Sequence, residues 1–259
     1  MTIKLNKIFK IILIALFWIG VWEIAALIVS KPLFFPSPFH VIIKLGELVI
    51  TKVFLISVLY SLSRVGLGII IAIISGFIIA IICSFSKIAY DVLFPLVTVI
   101  KSTPVASFII LIWIFIGNNA TPVVISALMV FPIVFANVYQ GIKNVDVGLI
   151  EVCKTYKLSR KKIIKALYIP SVIPYFTSAL LSSIGLGWKA GIAAEVLCTP
   201  LKSIGKAIFE SKIYFEYVDL FAWTASVIIL SLIFEKLLTK LLNKILSKFT
   251  VKQGGSNED

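Results

Sequence analysis

Apolar runs about as long as a bilayer is thick fill most of this 259-residue chain. A helix that crosses the hydrocarbon core needs about 20 mostly apolar residues. Six segments qualify, namely residues 11–29, 65–83, 92–116, 121–139, 172–197 and 217–238. Only 14% of the residues are charged, against about 25% in an ordinary soluble domain. The sequence therefore excludes a water-soluble globule and predicts an all-α, polytopic membrane protein, with one transmembrane domain over residues 1–259.

The basic residues lie mainly between the apolar spans, and their distribution predicts the orientation of the chain. The formal net charge is +13. With the N-terminus inside, the inner segments carry 16 Lys and Arg residues and the outer segments carry 6. Such an excess is typical of cytoplasmic loops, so both termini are predicted to be cytoplasmic. Nucleic-acid binding is not indicated, because no basic patch carries the interleaved aromatic residues that would stack on bases.

The segment between the fourth and fifth spans is longer than a simple connection requires. Apolar residues recur at helical spacing from Val147 to Leu167, after Asp146 and with Glu151 in the early turns. Acidic residues at that place are typical of a helix N-terminus. We predict a charged, amphipathic helix over residues 147–165 at the cytoplasmic surface. It is either a docking element or a solvated basic loop that sets the orientation.

Several short motifs in this chain resemble one family of transport proteins. Residues 151–157, which read EVCKTYK, and the later Ile169-Pro170 resemble the EAA motif of ABC importer permeases. Further stretches follow the order of that family, namely residues 36–38, 61–65, 91–95, 101–104, 113–117 and 193–195. Together they most resemble the nitrate/sulfonate/taurine branch of binding-protein-dependent permeases, over roughly residues 30–240.

The resemblance implies a fold, a location and a set of partners. It implies a type I ABC importer permease-like bundle in the bacterial inner membrane, with the EAA loop as a coupling helix seated in a separate ABC ATPase. That ATPase hydrolyses the ATP, and this chain binds no cofactor. The residues expected to couple to the ATPase are Glu151, Lys154, Tyr156, Lys157, Arg160 and Pro170.

The rest of the importer also follows from the resemblance. A second copy of the permease, as a homodimer, and an extracytoplasmic solute-binding protein complete the assembly. The chain is then a transport subunit and not an enzyme. It forms the translocation pathway for a small solute, which is nitrate-, sulfonate- or taurine-like, or a vitamin precursor.

The EAA-like segment departs from the family pattern at three positions. Val152 and Cys153 replace the two alanines, and Lys157 stands where the family has glycine. Glycine permits a turn with positive φ, which lysine tolerates poorly. We therefore expect either a turn that is built differently or a docking geometry that is altered.

The third span contains a predicted break next to a charge. Lys101 precedes Ser102, Thr103 and Pro104. A break at membrane depth is tolerated where it is buried in protein or lines a cavity. The family commonly has a basic residue here, so the resemblance implies that Lys101 lines the translocation pathway, together with residues 102–104, and favours an anionic solute. The alternative is that its side chain extends to the membrane interface.

The fifth span carries small residues on one face and two ionisable residues. Ser183, Gly187 and Gly191 recur every fourth residue, a pattern that favours close helix packing. Lys189 lies on the opposite face and is expected to line the pathway or to meet a partner helix. Glu195 is expected near the outer end. It lines the pathway, contacts another subunit, or is a simple interfacial carboxylate.

The sequence offers no catalytic or metal-binding set. It contains no phosphate-binding loop of the Gly-x-x-x-x-Gly-Lys-Ser/Thr type, one histidine and three scattered cysteines. The alternative function is an autonomous secondary transporter or channel, which would favour internal repeats and polar residues at the midplane. A membrane enzyme or scaffold is the third possibility, and it would require a catalytic set.

Overall fold

Helices account for almost all of the computed structural model, which describes residues 2–30 and 34–254. In chain order they are α1 (Thr2–Val29), α2 (Pro38–Val49), α3 (Lys52–Phe85), α4 (Lys87–Ser102), α5 (Val105–Lys143), α6 (Val147–Thr155), α7 (Arg160–Ile163), a π-helical turn (Ile164–Tyr168), α8 (Ile169–Cys198), α9 (Ile204–Ile213) and α10 (Tyr217–Gly254). Within the described ranges there is no strand. The prediction of an all-α, polytopic protein is confirmed.

Five stretches of helix in the described part of the chain are long and apolar enough to cross a membrane: α1, α3, α5, α10, and α8 with the turns before it. The sequence predicts six spans, and the difference lies in α5. This helix has 39 residues, about 58 Å if straight, whereas the hydrocarbon core is only about 30 Å thick.

A single glycine divides α5 into two arms, residues 105–116 and 118–143. Gly117 has φ 75° and ψ 179°, a conformation that is essentially restricted to glycine. Ile109 and Ile125, from the two arms, join one buried cluster with Ala190 and Ala194 of α8. In a continuous helix these isoleucines would be about 24 Å apart. The chain therefore reverses at Gly117: the second arm is one crossing, and the first arm belongs to the crossing before it.

The predicted third span is built from two helices. α4 ends at Ser102, and the first arm of α5 begins at Val105. Pro104 has no N–H to donate and disfavours a helical conformation at the residue before it. Thr103 accordingly has an extended conformation, φ −83° and ψ 132°. The interruption lies at the place that the sequence predicts.

The second span is longer than hydropathy predicts. α3 begins at Lys52 rather than near Val65. Ser57 and Ser61 lower the mean hydropathy of this first part, yet both are buried. Ser61 finds partners inside the protein, because its hydroxyl donates to Glu195 and accepts from the Ile204 N–H.

The core forms where α3, the second arm of α5 and α8 pack together. Ser183, Gly187 and Gly191 are buried there. A Cβ atom at Gly187 would come within 2.6 Å of Val130 Cγ2, and one at Gly191 within 2.6 Å of Val65 Cγ2. The absence of a side chain at these glycines therefore allows α8 to approach both α3 and α5.

α2, α9 and the first turns of α10 pack around one end of this core, which we call the Gly117 end. Ser37 caps α2 by accepting a hydrogen bond from the Phe39 N–H. Lys44 of α2 lies 3.3 Å from Asp219 of α10. Phe54 of α3 stacks on Trp223 of α10, with 5.2 Å between ring centroids. These contacts join α2 and α10 to the start of α3.

Candidate functional site

α6 lies at the other end of the bundle, which we call the α6 end, and none of its side chains is buried. Asp146 caps the helix, because its Oδ1 accepts a 2.7 Å hydrogen bond from the Gly148 N–H. The exposed fraction is 66% for Val147 and 77% for Tyr156. A helix of nine residues is marginal in water on its own. The exposed apolar side chains therefore form a surface suited to contact with another molecule.

The turn after α6 has a left-handed residue at the position where the family motif has glycine. Lys157 has φ 53°. Its N–H donates to the Lys154 carbonyl at 2.9 Å, and the Leu158 N–H donates to the Cys153 carbonyl at 3.0 Å. This pair of bonds defines a Schellman motif. The expectation of a differently built turn is wrong, because lysine adopts the left-handed conformation at a cost of about 1 kcal/mol.

This turn also divides the predicted helix over residues 147–165, so that prediction of a single helix is wrong. α6 ends at Thr155, and α7 begins at Arg160. A π-helical turn, Ile164–Tyr168, then leads directly into α8. Pro170 gives a physical reason for the widened turn, since it has no N–H to donate to the carbonyl of residue 166. The coupling segment is therefore two short helices joined to a span.

The residues predicted to couple to an ATPase fall into two groups. Five have exposed side chains: Glu151, Lys154, Tyr156, Lys157 and Arg160. Pro170 is half-buried in the first turn of α8. The first group can contact a partner directly, whereas Pro170 acts on the backbone geometry of the connection.

The predicted pathway residues at the break between α4 and α5 lie together at the surface of the chain. Lys101, Ser102 and Pro104 are exposed, and Thr103 is half-buried. The Thr103 N–H and hydroxyl both donate to the Val99 carbonyl, at 3.1 and 2.8 Å. Local hydrogen bonds thus satisfy part of the backbone where the helix is interrupted. Among the described residues, no carboxylate lies within 4 Å of the Lys101 ammonium.

Lys189 is on a different side of the bundle from Lys101. It lines a cavity of about 230 Å³ between α8 and α10, together with Ser231 and Glu235. The neighbouring Trp188 is buried, and its indole N–H donates to the Val227 carbonyl of α10 at 3.2 Å. Of the two expectations for Lys189, the structure favours proximity to a partner helix, which is α10.

Glu195 is not placed where a pathway residue would be. Its side chain has no exposed surface. One carboxylate oxygen, Oε2, accepts from the Ser61 hydroxyl at 2.6 Å and from the Gly205 N–H at 3.4 Å. The other, Oε1, lies 3.5 Å from the Arg64 guanidinium. The assignment of Glu195 to the pathway surface is therefore corrected, because the carboxylate is enclosed within one chain.

Arg64 joins three separate parts of the chain at the Gly117 end. Besides Glu195, its guanidinium donates to the Leu201 carbonyl at 2.8 Å and to the Lys202 carbonyl at 3.4 Å. It also donates to the Asn119 side chain, just after the Gly117 reversal, at 3.1 Å. Only 12% of its side chain is exposed. We call Ser61, Arg64, Asn119 and Glu195 the Arg64 polar network.

The sequence analysis missed this network as a unit. Charged residues within spans are costly and tend to pair with one another. Arg64 and Glu195 have opposite charges and lie in two separate family-like stretches, residues 61–65 and 193–195. Their opposite charges are the feature of the sequence that indicates a pairing. Among the described residues, no group of three or more His, Cys, Asp and Glu side chains is placed to hold a metal ion.

Comparison with known proteins decides between a transport subunit and the other classes. The sequence profile described as "Binding-protein-dependent transport system inner membrane component" matches residues 68–252, more than half of the chain. The chain belongs to this family. It is a multi-pass inner-membrane protein and the permease subunit of an ATP-driven importer. Such a subunit works with an ATPase and a solute-binding protein.

Three relatives show the range of the family. The chain is 28% identical to the nitrate import permease protein NrtB of Synechococcus elongatus, over 70% of this chain and 68% of the relative. It is 25% identical to the taurine transport system permease protein TauC of Escherichia coli, over 68% and 66%. It is 21% identical to the formylaminopyrimidine transport permease protein ThiX of Halalkalibacterium halodurans, over 68% and 71%. The predicted resemblance to the nitrate/sulfonate/taurine branch is confirmed.

Proposed function

We propose that this permease forms the pathway for a small anionic solute and couples to a separate ATPase through residues 146–160. The observation that supports the coupling is the exposure of α6. Its two ends are fixed, by the Asp146 cap and by the left-handed turn at Lys157, while none of its side chains is buried against the described chain. A helix held in this way is preorganised for docking, because little conformational entropy is lost on binding.

The coupling segment can transmit force because it is joined to a span without a flexible linker. α7, the π-helical turn and α8 follow one another without a gap from Arg160 to Cys198. α8 in turn packs against α3 and α5 through Gly187 and Gly191. Movement of the ATPase against α6 and α7 would therefore reach the core as a rigid-body displacement of α8.

The proposal of an anionic solute depends on Lys101. Its ammonium is exposed, at the interruption between two helices, and no described carboxylate lies within 4 Å of it. The names of two relatives specify nitrate and taurine, which carry an anionic oxygen group. A third relative carries formylaminopyrimidine, so a vitamin precursor is the alternative solute class. Lys189 is a less favourable pathway candidate, because it faces α10.

The assembly and orientation complete the proposal. Two copies of this chain form a homodimer around the pathway, and each copy presents one α6 to an ATPase dimer that binds and hydrolyses the ATP. The sequence contains no phosphate-binding loop of the Gly-x-x-x-x-Gly-Lys-Ser/Thr type, which supports a separate ATPase. The 16 basic residues of the segments at the α6 end and the termini, against 6 in the others, support a cytoplasmic location for both termini.

The coupling role is tested by reversing the charge of Glu151. In proteoliposomes that contain the permease, its ATPase and its binding protein, Glu151→Lys should abolish solute uptake while the variant still inserts into the membrane. Glu47→Lys is the matched control, since Glu47 is also an exposed glutamate on a short helix but at the Gly117 end. Normal ATP-driven uptake by Glu151→Lys would refute the assignment of α6 to ATPase docking.

The role of Lys101 is tested by removing its charge. Lys101→Ala should raise the solute concentration for half-maximal uptake or lower the turnover. Lys101→Arg keeps the positive charge and should retain most of the wild-type activity. Lys52→Ala, at an exposed lysine that begins α3, is the control. An unchanged uptake profile for Lys101→Ala would place this lysine at the membrane interface, outside the pathway.

A further inference from the structure

An apolar crevice of about 350 Å³ lies at the α6 end of the bundle. Phe77, Ile81 and Phe85 of α3 form one wall, since residues four apart lie on one face of a helix. Ile142 of α5, and Ile164 and Tyr168 of the π-helical turn, form the others, and the first turn of α8 closes the crevice. Every side chain that lines it is aliphatic or aromatic.

The chemistry of this crevice fits a hydrocarbon chain. A cavity lined only by apolar groups offers water too few hydrogen-bonding partners. The crevice opens at the outside of the helices, where Phe85 is 68% exposed and Ile164 is 51% exposed. Phe85 and Tyr168 flank the opening, with 5.9 Å between their ring centroids. In a membrane, the neighbours of such a surface are lipid acyl chains.

Two lysines are next in sequence to residues that line the crevice. Lys143 follows Ile142, and its ammonium lies 5.7 Å from the Tyr139 ring centroid, while Lys165 follows Ile164. Both lysines are exposed, and neither has a carboxylate within 4 Å among the residues that the structure describes. Three further basic residues, 160–162, precede the π-helical turn. Basic pockets between membrane helices on the cytoplasmic side attract anionic headgroups.

We propose that the crevice binds an acyl chain of an anionic phospholipid from the inner leaflet, with Lys143 and Lys165 holding the headgroup. The proposal rests on the proposed function, because that function places the α6 end at the cytoplasmic surface. Ile164 and Tyr168 belong to the turn that joins α7 to α8. The bound lipid therefore packs against the connection through which the ATPase acts, and transport coupling depends on anionic lipid.

The test uses the full permease purified with its ATPase and placed in nanodiscs of phosphatidylcholine with increasing amounts of phosphatidylglycerol. Retained lipid is counted by native mass spectrometry. The wild-type complex should retain phosphatidylglycerol in preference to phosphatidylcholine, and its solute-stimulated ATPase activity should rise with the phosphatidylglycerol fraction. Loss of one lysine contact should weaken retention about fivefold.

Two variants separate the acyl site from the headgroup site, each with a matched control. Ile81→Phe fills the crevice and should reduce phosphatidylglycerol retention, whereas Ile78→Phe, at an exposed position on another face of α3, should not. Replacement of both Lys143 and Lys165 by Gln should remove the preference for phosphatidylglycerol. Lys52→Gln, at the opposite end of α3, should leave it unchanged.

Several outcomes would overturn the proposal. Equal retention of the two lipids by the wild type would do so, as would unchanged retention in both the Ile81→Phe and the double-lysine variants. If Ile81→Phe retained lipid but lost the ATPase, the occupant of the crevice would be a part of the ATPase. A wild-type preparation without any ATPase would instead contradict the proposed function. Native mass spectrometry would still count the retained lipid and so would still test the crevice.

Discussion

Gly117 offers a sharp test of the fold, because it has a positive φ, unlike the other glycines in the described part of the chain. It has φ 75° and ψ 179°. A Cβ atom built at Gly117 would meet no atom within 4 Å. Gly117→Ala therefore introduces no steric clash, and its entire effect comes from forcing alanine into a conformation restricted to glycine.

The expected magnitude follows from that conformation. A non-glycine residue in this region costs of the order of 1–3 kcal/mol. Gly66 and Gly185 are the matched controls, because a Cβ atom at either one also meets nothing within 4 Å, but both lie inside helices. At those positions alanine should stabilise the protein by about 0.5–1 kcal/mol. The target and control substitutions should thus change stability in opposite directions.

The assay is thermal unfolding of the three purified variants in one detergent, followed by circular dichroism. A change of 1 kcal/mol shifts the midpoint by about 2–4 °C in a chain of this size. Gly117→Ala should lower the midpoint, and Gly66→Ala and Gly185→Ala should raise it slightly. If Gly117→Ala raised the midpoint as the controls do, residues 105–143 would form one continuous helix. The reversal at Gly117 and the six crossings would then be refuted.

Two further substitutions test local contacts. Arg64→Ala should reduce the free energy of unfolding by about 3 kcal/mol, because it leaves the fully buried Glu195 carboxylate without its cation. Thermal unfolding should show partial recovery when Glu195→Gln is added, and simple additivity would contradict the pairing. Lys157→Gly should stabilise the end of α6 by about 1 kcal/mol, since glycine adopts the observed φ of 53° without strain. Hydrogen exchange of the α6 amides should slow about fivefold, and no change would contradict the left-handed turn.

Hydropathy predicted the membrane crossings because long apolar segments in lipid must form helices. It misplaced the start of α3 because Ser57 and Ser61 count as polar in the sequence but are buried in the fold. Hydropathy averages over a window and does not register which face of a helix a side chain occupies. The reversal at Gly117 agrees with the gap between the predicted spans 92–116 and 121–139. A single glycine, however, does not by itself predict a turn.

The coupling segment shows where local patterns become insufficient. The apolar spacing from 147 to 167 is helical throughout, so it predicted one helix. The structure breaks it after Thr155 with a left-handed residue, Lys157. Lysine disfavours this conformation in isolation, and two backbone hydrogen bonds from the turn hold it. Sequence propensity alone therefore predicted the wrong continuation.

The Arg64 polar network depends on contacts between distant parts of the chain. Arg64 and Glu195 are 131 residues apart, and their pairing requires α3 and α8 to be neighbours with their ends aligned. The sequence identifies both as ionisable residues in or near spans. It does not give the helix rotations that turn Glu195 inward, and its assignment to the pathway failed for that reason.

This chain is one part of an importer, and we propose that its ATPase docks on α6. The most direct measurement is gentle detergent purification of the tagged protein from its native membrane, with mass spectrometry of the proteins that accompany it. We expect an ATPase with a phosphate-binding loop to accompany the wild type and to be lost from Glu151→Lys. An isolated chain that still moves solute in liposomes without ATP would contradict the claim and would make the protein an autonomous transporter.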